Sequence, residues 1–463
     1  MASSNHSSSS ANVPPRPERE PRAETGLAPS RALLTAAFAQ ALDLAEGRAE
    51  GHAGRVCYIA LHLARAAGRP VKEQRVTYYA ALLHDAGAAP ASAAVCRDLN
   101  LAEEAIFADR PGQSPQQLAL QIAPGDPEAL VDALRDHPEQ GATIARDLGF
   151  DGAVQRAIAE HHERWDGHGY PQALRQDEAS VPGRLVAAAD LIDSLIAVQP
   201  STLAARRNLI ESLADHAGTT IKEELSQQAI QLMRGDEFWL GLHEAEVPGE
   251  LAGLCPEPSR DTRSADGLVA FAQVFARLAD AKGEHTAEHS DRTGEIARRI
   301  AELDGLDEER CWLVQIAGLV HDVGLLGVPA RIIAKPDILS LSEMEAMRKH
   351  PTYSQMVLES LAELAPVAEW VGAHHERPDG KGYPEMLEEE TIPLEGRILA
   401  LADTYVALTS TRPYRRALSE EDAQQVLLGG AGTQLDARLV QLLCAEGVPP
   451  TSSRSARRSR RTR

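Results

Sequence analysis

Five landmarks recur in register along this chain, and that recurrence restricts the fold more than any other property of the sequence. His52 pairs with His289, and His84-Asp85 with His321-Asp322, each 237 residues apart. His137 pairs with His350, His161-His162 with His374-His375 and Asp190 with Asp403, each 213 apart. The register slips once, by 24 residues, between the His-Asp pair and the following His-Pro. The first copy therefore carries an insertion, at about residues 91–136, whose Pro, Gly, Gln and Asp content predicts a partly irregular excursion. Units this long exceed the period of roughly 20 to 50 residues found in stacked repeats, so the chain holds duplicated domains rather than a solenoid.

Between the landmarks the apolar residues keep helical spacing. ALLTAAFAQALDLA, RVCYIALHLARAAG and VTYYAALLHDAG follow one another in the first copy, and GEIARRIAELDGL and CWLVQIAGLVHDVG in the second. No stretch alternates with period two, and aromatics make up only 4% of a chain rich in Ala and Leu, a balance that favours helix. Ser342 and Glu345 have capping-box spacing and predict a helix start there. The expected fold is all-α: two tandem helical domains at about 31–200 and 263–440, a helical connector at 201–262, a disordered leader at 1–30 and a disordered basic tail at 441–463.

The formal net charge of −21 argues against general electrostatic binding of nucleic acid or membrane. The exception is SSRSARRSRRTR at the end, a solvated tail able to touch RNA, anionic lipid or the acidic body of the protein. Cys57, Cys96, Cys255, Cys311 and Cys444 are scattered and form no C-x-x-C pair, which fits a reducing cytoplasm and offers neither a disulfide frame nor a thiolate zinc site. No run approaches the roughly 18 apolar residues of a membrane span, and the leader lacks the apolar segment of a signal peptide. A cytoplasmic location is expected.

The second copy brings together His289, His321, Asp322, His350, His374, His375 and Asp403; the first has His52, His84, Asp85, His137, His161, His162 and Asp190. A lone histidine on an apolar helix face is usually a hydrogen-bonded core residue. Five imidazoles and two carboxylates, repeated in register, are instead costly to bury without a shared partner. Neutral imidazole and carboxylate suit Fe, Mn, Zn, Co or Ni, and seven donors exceed the need of one ion. Two ions sharing a bridging carboxylate in the second copy, Asp322, account for the number. Such a pair acidifies water and clamps both oxygens of a phosphoryl transfer, which points to phosphoester hydrolysis. Adjacent helical residues point about 100° apart, so the doublets can converge on one cavity only near helix ends or by serving different ions, and Gly324, Pro378, Gly380 and Gly382 place both near helix ends. His285, four residues before His289, is a further candidate on the same helical face.

In its motifs the chain resembles the HD-GYP family of phosphohydrolases. The likeness rests on H-x-x-R at His289–Arg292, HD-x-G at His321–Gly324, His350-Pro351, HHERPDGKGYP at 374–384, and IPLEGRILALADTYVALTSTRPYR ending in Arg415. The first copy matches through His52 and Arg55, HDAG, DHPEQG, EHHERWDGHGYP and VPGRLVAAAD, without an RPYR counterpart. The resemblance implies an all-helical fold, two or three metal ions, most often Fe or Mn, held by the seven ligands of each copy, and hydrolysis of the bacterial messenger cyclic di-GMP to pGpG or GMP. The family's HD-x-G-K lysine is replaced by Leu325 and Ala88, and its YDAL reads Tyr405-Val406-Ala407-Leu408.

The expected activity is therefore metal-dependent phosphodiester hydrolysis of a cyclic dinucleotide, with His321 and Asp322 at the catalytic centre and Lys381, Arg412, Arg415 and Arg416 as cations for the substrate. The second copy is expected to do the work and the first to regulate or to dimerise. The missing lysine also supports a nucleotide-binding protein without turnover that signals to a protein partner, and other HD enzymes take other nucleotides. Ala- and Leu-rich faces fit either pairing of the two copies or a homodimer.

Overall fold

The computed structural model describes residues 29–47, 51–107, 113–198, 203–245, 247–256, 265–283, 289–411 and 416–446. Among them are helices and no β-strand, only three isolated bridges, so the all-α expectation holds. Residues 1–28 of the leader, most of the basic tail, and Arg412, Arg415 and His285 fall outside the described residues.

The two copies run through the same helices. Arg31–Glu46, His52–Ala66 and Val71–Leu82 in the first correspond to Ala265–Lys282, His289–Leu303 and Glu308–Val320 in the second. Later, Gly152–Ala159 and Val181–Ala197 correspond to Ala365–Gly372 and Leu394–Thr409. Each copy then closes with a helix pair, Leu203–Asp215 with Glu223–Met233 and Glu420–Gly430 with Ala437–Glu446. Each closing loop carries the same bridge, Ala217 to Ile221 and Ala431 to Leu435, and accepts a backbone bond from the Asp-Gly turn, Asp166 N to Thr219 O at 2.8 Å and Asp379 N to Thr433 O at 3.2 Å. The boundary expected at 200 thus cuts a repeated motif. We take the first unit to run to Met233, which leaves Asp236–Glu244 and Pro248–Gly253 as the link; the last helix likewise runs past 440.

Two local expectations are corrected. The helix Leu341–Met347 starts from Ser340, not Ser342: Ser340 Oγ accepts from Glu343 N at 3.3 Å, and Glu343 accepts from Ser340 N at 2.7 Å. The insertion is helical, in Ala88–Asp98, Glu103–Phe107, Pro115–Ile122 and the first turns of Pro127–Asp147. Among the described residues, Ser114 and Gln117 form a capping box at the helix whose first residue is Pro115, and Asp126 caps the helix that Pro127 begins, so these act as helix starts rather than breakers.

One core runs through both halves. Phe38 packs edge-on against Phe271 and Phe275, with ring centroids 6.1 and 4.2 Å apart. The first helix of each half leans on the segment after the other half's His-Asp doublet: Arg31–Glu46 on Val323–Gly327, and Ala265–Lys282 on Ala88–Asp98. At this crossing Lys282 is fully buried. Its ammonium donates to the carbonyls of Leu326 and Val328 and lies 3.2 Å from Glu103 of the insertion, whose carboxylate also accepts from Ala330 N at 2.9 Å.

Candidate metal centre

The doublets stand where helices end, the first of the two arrangements their spacing allows. His321 is the C-cap residue of Glu308–Val320, and His374-His375 follow Ala365–Gly372; His84 and His161-His162 hold the same places in the first copy. The glycine of HD-x-G lets the next ligand helix approach. A Cβ on Gly87 would lie 2.0 Å from His137 O, and one on Gly324 2.0 Å from His350 O. No other residue fits there.

The eleven-residue motif at 161–171 and 374–384 builds a loop folded back on the second histidine. Glu163 accepts from Gln172 N and Leu174 N at 2.7 and 2.8 Å, and Glu376 accepts from Glu385 N and Leu387 N at 2.6 and 2.9 Å. Arg164 grips Asp166 and Arg377 grips Asp379 within two residues. Gly169 and Gly382 press on backbone that a Cβ would meet at 2.4 and 2.5 Å. The loop thereby lays Tyr170 over His162, centroids 4.7 Å apart, and Tyr383 over His375 at 4.8 Å and 26°.

All fourteen predicted ligands converge, in four nests. In the second copy Asp322 Oδ2 lies 3.2 Å from His321 Nε2 and 3.8 Å from His289 Nε2, with Asp403 Oδ1 3.1 Å from His289. Its other oxygen, Oδ1, lies 3.3 and 3.8 Å from His350 and His374, and His375 completes that group. The first copy repeats this. Asp85 Oδ2 faces His84 and His52 at 3.2 and 3.8 Å, beside Asp190, while Oδ1 faces His161 and His137 at 3.4 and 3.5 Å, beside His162. Each doublet carboxylate gives one oxygen to each nest, the bridging geometry expected of it.

These nests fit metal ions. Buried Nδ1 atoms are committed to backbone carbonyls three residues back: His84 to Ala81 at 2.7 Å, His137 to Leu134 at 2.8 Å, His161 to Ile158 at 2.6 Å, His350 to Met347 at 2.8 Å and His374 to Val371 at 2.5 Å. In neutral rings this fixes the proton on Nδ1 and leaves Nε2 as an acceptor. Yet His350 and His374, His137 and His161, and His52 and His84 face one another Nε2 to Nε2 at 3.3 Å. Lone pairs turned inward at that range call for a cation between them.

The electrostatics agree. Burial pushes His374 and His375 down, reinforced by neighbouring imidazoles, His375 to about 4; His350, His161 and His162 are depressed by the same causes. Burial would raise Asp322 and Asp403, but the surrounding imidazoles outweigh it and hold both below the usual carboxylate range. His321 is the exception: burial lowers it, but Asp322 and Asp403 prevail and raise it to about 9. With a folded value above the ordinary one of about 6.5, its proton stabilises the metal-free fold fully below that pH, and the contribution disappears as pH rises through 9. An entering ion must displace this proton near pH 7.5. Affinity of the second copy for Mn²⁺ is expected to rise by up to about tenfold per unit from pH 7 to 9, then flatten. Calorimetry of an Asp85→Asn chain in buffers of differing ionisation enthalpy counts the released proton; a count of zero contradicts the assignment.

The predicted substrate cations fare less clearly. Lys381 is exposed, with its backbone N on Asp379 Oδ1, and Arg416 is exposed. The sequence reading missed Arg348, whose guanidinium lies 5.3 Å from the Tyr383 ring centroid. It also missed Asp193, three residues beyond Asp190, which binds both His52 and Arg55; Arg55, an arginine near a buried site, was the available signal. Leu325 is buried with Val328 and Ile332, and Ala88 with Cys96, Ile106 and Phe107, so apolar packing occupies both lysine positions. Over the first copy's ligands opens a cavity of about 390 Å³, lined also by Phe107 of the insertion, Arg164 and Tyr170.

Comparison with known proteins agrees with this architecture. The HD domain family profile matches residues 127–221 and 273–439, more than half of the chain. A relative in Vibrio cholerae, 3'3'-cGAMP-specific phosphodiesterase 3, is 27% identical over 430 residues, covering 87% of this chain and 91% of that protein. The 3'3'-cGAMP-specific phosphodiesterase 1 of the same organism is 27% identical over 84% of this chain and 85% of its own length. The cyclic di-GMP phosphodiesterase of Thermotoga maritima is 37% identical over 35% of this chain and 45% of that protein. A solved structure described as a cyclic GMP-AMP specific phosphodiesterase of V. cholerae shares the fold, with TM-score 0.64 at 23% identity over 91% of this chain and 99% of that one. Among the described residues no helix is long and apolar enough to cross a membrane. With its paired nests, HD doublets and two GYP loops, this chain belongs to the HD domain family, in the HD-GYP branch.

Proposed function

We propose that this protein is a metal-dependent phosphodiesterase that opens a cyclic dinucleotide to a linear product, with turnover in the second copy. The observation that carries the proposal is Asp322, one carboxylate with an oxygen turned to each of two histidine nests. Bound there, two ions would polarise the phosphoryl group and acidify water. With Asp322 counted in both nests and Asp403 in one, each second-copy nest offers four protein donors, which would saturate tetrahedral zinc but leave six-coordinate Fe or Mn with open positions. Water adds across a P–O bond, its oxygen going to phosphorus and a proton to the departing ribose oxygen.

The chain's own groups would orient this reaction. Tyr383 backs the His375 ring, Glu376 holds the loop carrying Tyr383, and Arg348 adds positive charge on the tyrosine's outer side. The two relatives that span both halves are named for 3'3'-cGAMP, which ranks that nucleotide ahead of cyclic di-GMP as substrate. A second reading, nucleotide binding in the first copy, is favoured by its cavity, whose volume falls within the range of roughly 300 to 1,000 Å³ usual for small-molecule sites.

Purified protein loaded with Mn²⁺ or Fe²⁺ under reducing conditions is expected to linearise 3'3'-cGAMP, and cyclic di-GMP more slowly, as followed by chromatography. Binding without product would leave only the signalling role. Absence of both would end the nucleotide reading.

A further inference from the structure

The two copies hold their first histidine differently. In the first, His52 Nδ1 is 2.7 Å from Asp193 Oδ2, and Arg55 Nε donates to Asp193 Oδ1 at 2.7 Å. The carboxylate is buried, so the imidazole is clamped with its proton on Nδ1 and Nε2 aimed at Asp85 and Asp190. In the second copy the position of Asp193, three residues beyond the helix ligand, is Val406, also buried. The atoms that Asp193 would bind are still there. His289 Nδ1 and Arg292 Nε are buried without a hydrogen-bond partner, and the guanidinium turns its other nitrogens to Ser410 and Thr409 hydroxyls at 2.8 and 3.0 Å.

We propose that Asp193 is a positioning residue that arms the first-copy nest of His52, His84, Asp85 and Asp190, and that Val406 leaves the matching second-copy nest loosely held. The inference rests on the reading of both nests as metal sites. A carboxylate behind a ligating imidazole fixes its tautomer and orientation and raises its basicity, and losing such a partner costs about ten- to a hundredfold in metal affinity. The first copy therefore keeps its ion as a standing part of the structure. The second fills and empties with metal supply, so turnover there follows that supply.

Two full-length parents separate the copies, Asp322→Asn for the first and Asp85→Asn for the second. Each is titrated with Co²⁺, followed by visible absorption and checked by elemental analysis. The first copy is expected to take its tighter ion about ten- to a hundredfold more strongly than the second. Asp193→Asn in the Asp322→Asn parent should erase that advantage and leave the step from His137, His161 and His162 in place, since Asp193 does not touch that nest. Val406→Asp in the Asp85→Asn parent should tighten one step about tenfold or more, a gain that misfolding cannot produce. Equal affinities in the parents, or both steps shifting together in Asp193→Asn with no gain from Val406→Asp, would overturn the inference. Metal binding by neither parent would defeat the metal-site reading first, and this inference with it.

Discussion

Asp322→Asn is expected to abolish phosphodiesterase activity, whereas Asp85→Asn leaves most of it. The amide cannot replace the carboxylate, because one of its two terminal atoms is an N–H₂ donor and would face either His321 or His350. One nest therefore loses a ligand and gains a repulsive hydrogen. Because both nests draw on this one side chain, the fall in kcat should reach at least roughly a thousandfold, the upper end of what losing a single stabilising donor costs. Elemental analysis should show at least one fewer ion per chain for either variant, which separates metal loss from loss of turnover. If Asp85→Asn is the silent enzyme instead, turnover belongs to the first copy.

Lys282→Met should destabilise the whole chain by about 3 to 5 kcal/mol, the cost of breaking a buried ion pair from one side. The change strands the Glu103 carboxylate and leaves the carbonyls of Leu326 and Val328 without their donor. Adding Glu103→Leu should recover a large part of the loss, because removing both charges is far cheaper than removing one. The midpoint of urea unfolding checks both variants, and additivity of the two single changes would show that the pair is not coupled. Glu103 opens the helix whose Phe107 lines the first cavity, and Leu326 follows the second copy's doublet, so the bond joins one pocket's wall to the other's ligand loop.

The ligand set was legible in the sequence because metal chemistry admits few residue types and duplication repeated them in register. His374-His375 and His321-Asp322 announced helix ends, since neighbours on a helix cannot face one cavity. The place of Asp322 between two histidine nests followed from the donor count. What supports the ligands was harder to read. Asp193 carried no mark in the ligand pattern, and its role shows only where Arg55 and His52 close on it. Glu163 and Glu376 gave no periodic signal, because they bind backbone of a loop rather than side chains. The Pro, Gln and Asp of the insertion read as breakers, while the fold uses them as caps. The joining of the halves through Lys282 was invisible, because burial of a lysine depends on a partner 179 residues away.

Leu325 carries a consequence for how this site can be altered. Where the resembled family has a lysine, this side chain lies in an apolar cluster with Val328 and Ile332, against which Leu339 and Met347 pack. Putting an ammonium back would bury a charge among methyl groups before it could meet any phosphate. A single Leu325→Lys change is therefore expected to lower stability before its ammonium could reach any phosphate.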